Sequence, residues 1–272
     1  MVQRPSSDER FVAEAIDIVQ RMKSTNIPLR IMAGCAVRIH CGEHVQLHQV
    51  KMQRNIRDID LVTLRKYKKQ LEAPLAAIGY SPQLVKFESD RDIYENKATG
   101  TTLDIFYNRL NMCHSIDFVD RMEIDFPTVS LADLVLQKLQ IIEINERDAK
   151  DVIVLFLEHK VGESDRETIN GKYIAKLLSD DWGFYYTVTE NIKKNNNLAL
   201  KYSEDMLSPQ ELRLFQTRTG QLLSMIDTEP KSFKWKMRQK IGTKTRWYSE
   251  VEEKERGTLA EYLINKQKGK QN

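Results

Sequence analysis

Two aspartates stand two residues apart in the stretch IRDIDLVT, residues 56–63, among Ile56, Ile59, Leu61 and Val62. Side chains in a strand alternate faces, so Asp58 and Asp60 point one way while Ile59 and Leu61 point the other, into a core. Two carboxylates that close on one face repel each other, and a divalent cation offsets the repulsion naturally. Further on, TTLDIFYN, residues 101–108, sets Asp104 between Leu103 and Ile105, again an acid in an apolar context. Three carboxylates on adjacent strands could hold two Mg²⁺, or Mn²⁺, roughly 3.5–4 Å apart. Such a pair serves an in-line displacement at phosphorus. One ion lowers the pKa of the attacking hydroxyl and the other stabilises the charge on a leaving pyrophosphate.

Upstream, the run LRIM followed by Gly34 and Cys35 reads as a strand, a tight turn and a helix start. A glycine there lets backbone N–H groups approach a phosphate, and the helix N-terminus favours negative charge. In SLADLVLQKLQII, Lys138 falls at the centre of the apolar stripe Leu131, Leu134, Val135, Ile142. A charge so placed needs a partner: a triphosphate, an acid of the metal site, or solvent reached by snorkelling.

Other chemistry-bearing residues carry less. His40, His44 and His48, with Cys41 beside them, have the spacing of a helical zinc stripe, but Gly42 interrupts it and a polar helix face explains them better. Cys113 and His114 are adjacent, and adjacent residues rarely face each other as a nucleophile and its base. Asp148 opens a helix, where an acid suits the dipole.

The elements that must position these groups follow from periodicity. Residues 7–24 have a helical apolar face, with Ser6 and Glu9 spaced as a capping box. Strands are expected over LRIM, RDIDLVT, QLVKFES, DIYENKA and TTLDIFYN. Helices are expected over CAVRIHCGEH, KYKKQLEAPLAAIGY (ending at Gly79), SLADLVLQKLQIIEI and DAKDVIVLFLEHK. KKNNN, residues 193–197, reads as the most loop-like interruption, and KQKGKQN as a frayed end. The expected fold is α/β (α+β): a small mixed sheet with packed helices over residues 1–125, then a helical C-terminal region over 126–272, with the substrate cleft between them.

The Gly34 turn, the Asp58-Ile59-Asp60 strand and Asp104 together resemble the nucleotidyltransferase superfamily related to DNA polymerase β. GCAVRIH and the later SLADLVLQKLQIIEINERDAKDVIVLF are similar to the abortive-infection nucleotidyltransferase toxins and their uncharacterised relatives. The resemblance covers about residues 29–157 and departs at Cys35, at the long link EHVQLHQVKMQRN, and at Val154. It implies transfer of an NMP from an NTP to a hydroxyl acceptor, with release of pyrophosphate. It implies Asp58, Asp60 and Asp104 as catalytic and metal-binding residues, and Gly34, Cys35, Arg38, Lys138, Lys150 and Asp151 as nucleotide-binding candidates. A non-catalytic nucleotide- or RNA-binding module, or a toxin–antitoxin component acting through a protein partner, is the alternative.

Composition sets the remaining bounds. The chain has 272 residues, 41% hydrophobic and 30% charged, which describes a globular protein with room for a real core. No apolar run approaches a membrane span, and MVQRPSSDER lacks a signal-peptide core, so a cytoplasmic protein with reduced thiols is expected. The net charge of +3 is unevenly placed: residues 1–160 hold 22 Lys/Arg against 23 Asp/Glu, and residues 161–272 hold 20 against 16. KSFKWKMRQKIGTKTRWY, residues 231–248, has basic residues alternating with aromatics and no acid. That suits RNA, tRNA in particular, or is a basic tail packed by its tryptophans. A small-molecule hydroxyl acceptor, such as an aminoglycoside- or lincosamide-like compound, fits a cleft of this type as well.

Overall fold

The computed structural model describes residues 7–84 and 90–250. Ser6, most of the expected strand QLVKFES and the expected frayed end KQKGKQN lie outside the described residues.

The chain opens with helix α1 (Ser7–Ser24), whose Ala15, Ile18, Val19 and Met22 are buried. Strand β1 (Leu29–Met32) leads directly into helix α2 (Ala33–His40). Strand β2 (Ile59–Thr63) follows, then helix α3 (Lys68–Ala77) and strands β3 (Tyr80–Leu84), β4 (Arg91–Asn96) and β5 (Thr101–Tyr107). Gly79 at φ +89° turns the chain from α3 into β3, where only glycine is unstrained. The five strands form one mixed sheet in the order β1-β2-β5-β4-β3. Only the central pair β2 and β5 is parallel.

Burial in the sheet follows its period of two. Ile59, Leu61, Leu103 and Ile105 are fully buried on one face, and α1 and α2 pack against β1 and β2. The other face carries Asp60 and Asp104, directly opposite each other in register, with Met32 opposite Asp60 on the far side. The chain therefore leaves β1 for the α2 turn level with the two acids.

A small hairpin of β6 (Arg109–Asn111) and β7 (Ser115–Asp117) joins the sheet to helix α4 (Leu131–Leu139) and helix α5 (Glu146–Glu158). Residues 127–129, just after the expected division at 125/126, run beside β1, with the Pro127 carbonyl and Val129 N–H bonded to the Ile31 backbone. Strands β8 (Lys160–Gly162) and β9 (Thr168–Asn170) form a parallel pair. Helices α6 (Gly171–Leu178), α7 (Trp182–Tyr202), α8 (Pro209–Thr228) and α9 (Phe233–Ile241) complete the described chain. No helix among the described residues is long and apolar enough to cross a membrane. All three cysteines are unpaired and buried.

Two expectations need correction. KKNNN is not a loop: it lies within α7. Two of its asparagines are used by the helix, with Asn195 and Asn196 donating to the carbonyls four residues back, and Asn197 is exposed. The expected helix over residues 130–144 stops at Leu139. Asn191 of α7 donates to the carbonyls of Leu139 and Ile141, and Lys194 to that of Ile142, so α7 satisfies the groups that further α4 turns would have used.

Candidate active site

A cleft of about 370 Å³ lies between the acidic face of the sheet and the α4–α5 pair. Asp58, Asp60 and Asp104 line it, as do Gly34, Lys138 and Asp148. Asp58 immediately precedes β2 and Asp60 is its second residue. The sheet thus brings all three sequence-predicted acids to one wall.

Their electrostatics are those of crowded like charges. Burial pushes the pKa of Asp60 well above the carboxylate range, and repulsion from Asp58 and Asp104 adds to it; Lys138 and Arg91 pull the other way. Burial also raises Asp104 to about 6, against the pull of Arg91 and with Asp58 adding to the rise. The donor chemistry suits a hard divalent cation, which takes oxygen ligands and would relieve the repulsion. The acids are not assembled as a cage: among the described residues no three His, Cys, Asp or Glu side chains are grouped to hold a metal ion. Asp104 Oδ2 instead lies 3.3 Å from Arg91 Nη1.

The α2 turn opens on Ala33. The left-handed residue is Ala33, at φ +52°, and not Gly34. An alanine there is strained by about 1–2 kcal/mol. Its N–H donates to Gln137 Oε1 at 3.1 Å. What Gly34 provides is space, because a Cβ on it would stand 3.1 Å from Arg54 Nη2. The Cys35 side chain is buried away from the cleft, and its thiol lies 3.6 Å from the Asp58 carbonyl, pinning the start of β2. Burial, with Asp60 and Asp58 nearby, pushes that thiol's pKa far up, so it stays protonated.

The remaining nucleotide-binding candidates divide. Lys138 lines the cleft but has found protein partners: its Nζ lies 2.8 Å from both Asp148 Oδ1 and Asp151 Oδ2. Burial opposes its charge, yet Asp148 and Asp151 together raise its pKa. Asp151 is fully buried off the cleft, where it accepts from Arg54 Nη2 at 2.8 Å and faces His48 Nε2 at 2.9 Å. Burial works against that carboxylate, but Lys138, Arg54 and His48 hold its pKa well below the usual range. Arg38 is buried too. It donates to Gln49 Oε1 and to the Arg54 carbonyl and pairs with Asp8, fastening α1 to the link before β2. Lys150 pairs with Glu146 and does not line the cleft.

Sequence reasoning missed Arg54, Arg91 and Arg147, all of which line the cleft. Arg54 had a signal: it sits between Met52 and Ile56, both buried, as Lys138 sits in an apolar stripe. The link that carries it is packed, not slack, with a π-helical turn over Gln46–Lys51 that buries Leu47 and His48. The histidines part company. His40 Nε2 meets Thr128 Oγ1, His44 meets Glu158 and His48 meets Asp151, which removes the zinc stripe. Cys113 and His114 are both buried, with the His114 ring stacked on Phe184.

In the basic segment the tryptophans are used for packing. Trp235 is buried against Tyr185, Trp247 meets Tyr186 and donates to Thr187 Oγ1, and Arg238 lies over Trp182. Lys234, Lys236, Lys240, Lys244 and Phe233 are left exposed, whereas Lys231 is half-buried and donates to carbonyls at the end of α8. The segment ends beside the cleft, where Ser249 N–H donates to the Cys113 carbonyl, next to cleft-lining Met112.

No family model matches the sequence, and no curated protein matches it. Among solved structures, the antibiotic-resistance factor ANT(2'')-Ia is similar over 63% of this chain and 95% of its own, at 14% identity and a TM-score of 0.39. An antigenic nucleotidyltransferase-like protein from Paracoccidioides brasiliensis is similar over 84% of this chain and 97% of its own, at 15% identity and a TM-score of 0.38. Likeness at that level carries no functional argument, which falls to the geometry of the site.

Proposed function

We propose that the protein is a Mg²⁺-dependent nucleotidyltransferase that moves an NMP from an NTP to a hydroxyl acceptor and releases pyrophosphate. The observation that carries this reading is the register of β2 and β5, which sets Asp60 opposite Asp104, with Asp58 lining the same cleft as the α2 turn. Mg²⁺ held by Asp58, Asp60 and Asp104 would supply Lewis acidity at the α-phosphate and lower the pKa of the acceptor hydroxyl. The α2 turn at Gly34 accommodates the polyphosphate. Asp104, on the acceptor side, promotes removal of the hydroxyl proton as oxygen attacks phosphorus and the bond to pyrophosphate breaks.

The acceptor we favour is RNA. Arg54, Arg91, Lys138 and Arg147 interleave with the acids of the cleft, which is a poor setting for a polycationic acceptor such as an aminoglycoside. The acid-free basic segment reaches the cleft rim through Ser249. Its exposed lysines supply phosphate contacts, and packing has taken its tryptophans out of base stacking.

One observation favours a second reading, a nucleotide- or RNA-binding module without turnover: Arg91 holds Asp104. Pyrophosphate release separates the two. Incubated with NTP, Mg²⁺ and total RNA, the wild type should release pyrophosphate. Asp60→Asn should release none while unfolding at no lower temperature, since it removes a repelling charge. Full activity in Asp60→Asn would mean that the site is elsewhere, and a silent wild type that still binds NTP would favour the binding module.

A further inference from the structure

Arg147 stands where a cation is poorly placed. It occupies the first turn of α5, where the positive end of the helix dipole disfavours it. It is half-buried and lines the cleft, yet among the described residues it makes no hydrogen bond or ion pair. Burial and the like charges of Arg54 and Arg57 lower its pKa from the arginine range, with only partial relief from Asp58 and Asp148.

Arg54 faces the same space and is fixed there. It is 4% exposed but still lines the cleft. Asp151 holds its Nη2, the Asn55 carbonyl accepts from its Nη1, and its Nε has no partner. Its guanidinium lies so close to the α2 turn that a Cβ at position 34 would press on it. The other cations of the region are committed: Lys138 to two carboxylates, Arg38 and Lys150 to partners off the cleft.

We infer that Arg54 and Arg147 form a clamp for the polyphosphate tail of a nucleoside triphosphate beside the Gly34 turn, an inference that rests on the nucleotide reading above. Each guanidinium is a planar fork matched to phosphate oxygens, and two of them fit a ligand with more than one phosphate group. Asp151 is the positioning residue that aims Arg54.

The test is calorimetric binding of inorganic tripolyphosphate, without divalent metal, to the full chain. The wild type should bind. Arg147→Gln should bind roughly tenfold to a hundredfold more weakly, the loss of charge-assisted hydrogen bonds. Its thermal midpoint should be unchanged or higher, since an unfavourable charge is removed, whereas a structural arginine would lower it. Lys172→Gln, which removes an exposed charge elsewhere, should bind like the wild type. Equal affinity in Arg147→Gln, an equal loss in Lys172→Gln, or no binding by the wild type would overturn the clamp. The fate of the nucleotidyltransferase reading is separate. Arg147-dependent binding without NMP transfer would sink that reading and leave the clamp, and transfer with an indifferent Arg147 would do the reverse.

Discussion

Asp60 and Asp104 face each other across two parallel strands, and their protonation ties the site to the stability of the metal-free protein. In the unfolded chain an aspartate titrates near 4; in the fold Asp104 does so at about 6, and Asp60 is shifted the same way. Between those values the folded state keeps protons that the unfolded state has lost. The stability these acids contribute is therefore full below about pH 4 and declines as pH rises through about 6. Thermal melts of the metal-free protein should show this loss superposed on the other titrations, and Asp60→Asn should flatten it. A profile identical in wild type and Asp60→Asn would mean that the acids do not repel as described. Lys138 poses the opposite case, a buried cation whose removal takes a charged partner from two carboxylates, one of them fully buried. Lys138→Met should cost about 3–5 kcal/mol in denaturant unfolding. A change under 1 kcal/mol would show that its ion pairs with Asp148 and Asp151 are not formed in solution.

At the scale of elements, local pattern and long-range use diverge. Strands β2 and β5 were legible because an acid between buried aliphatics is a strong signal on a period of two. The β2–β5 adjacency that aligns their acids does not follow from periodicity: it was supposed from the chemistry of the three acids, and the structure supplies the register. Arg54 had only its apolar neighbours Met52 and Ile56 to mark it, and the partner that fixes its role, Asp151, is on a different element. The same holds for α7. Three consecutive asparagines resemble a loop in isolation, and sit in a helix here with the amides of Asn195 and Asn196 serving its carbonyls. Asn191 is the sharpest instance, with one amide bonding two carbonyls at the end of α4. Asn191→Ala should cost about 1–3 kcal/mol, the desolvation of groups left unpaired. If urea unfolding registers no change, water replaces the amide and α4 ends for another reason.

For the whole molecule, charge distribution distinguishes acceptor classes. Composition showed a basic excess after residue 160, but not which face it covers. The structure places exposed Lys234, Lys236, Lys240 and Lys244 around α9 and bonds Ser249, just past the segment, to the Cys113 carbonyl, one residue from cleft-lining Met112. Changing these four lysines to glutamate should weaken RNA binding and flatten its dependence on salt, leaving NTP affinity intact. RNA binding that ignores both salt and the four lysines would exclude α9 as a nucleic-acid surface.

The central claim is that Asp58, Asp60 and Asp104 serve nucleotidyl transfer, and α-labelled NTPs test it most directly. Each would be incubated with the protein, Mg²⁺ and total RNA, beside an Asp58→Ala/Asp60→Ala variant that remains folded. Label entering RNA with the wild type alone is the predicted result. Equal transfer by the two proteins, or no release of pyrophosphate by the wild type with any NTP, would contradict the account.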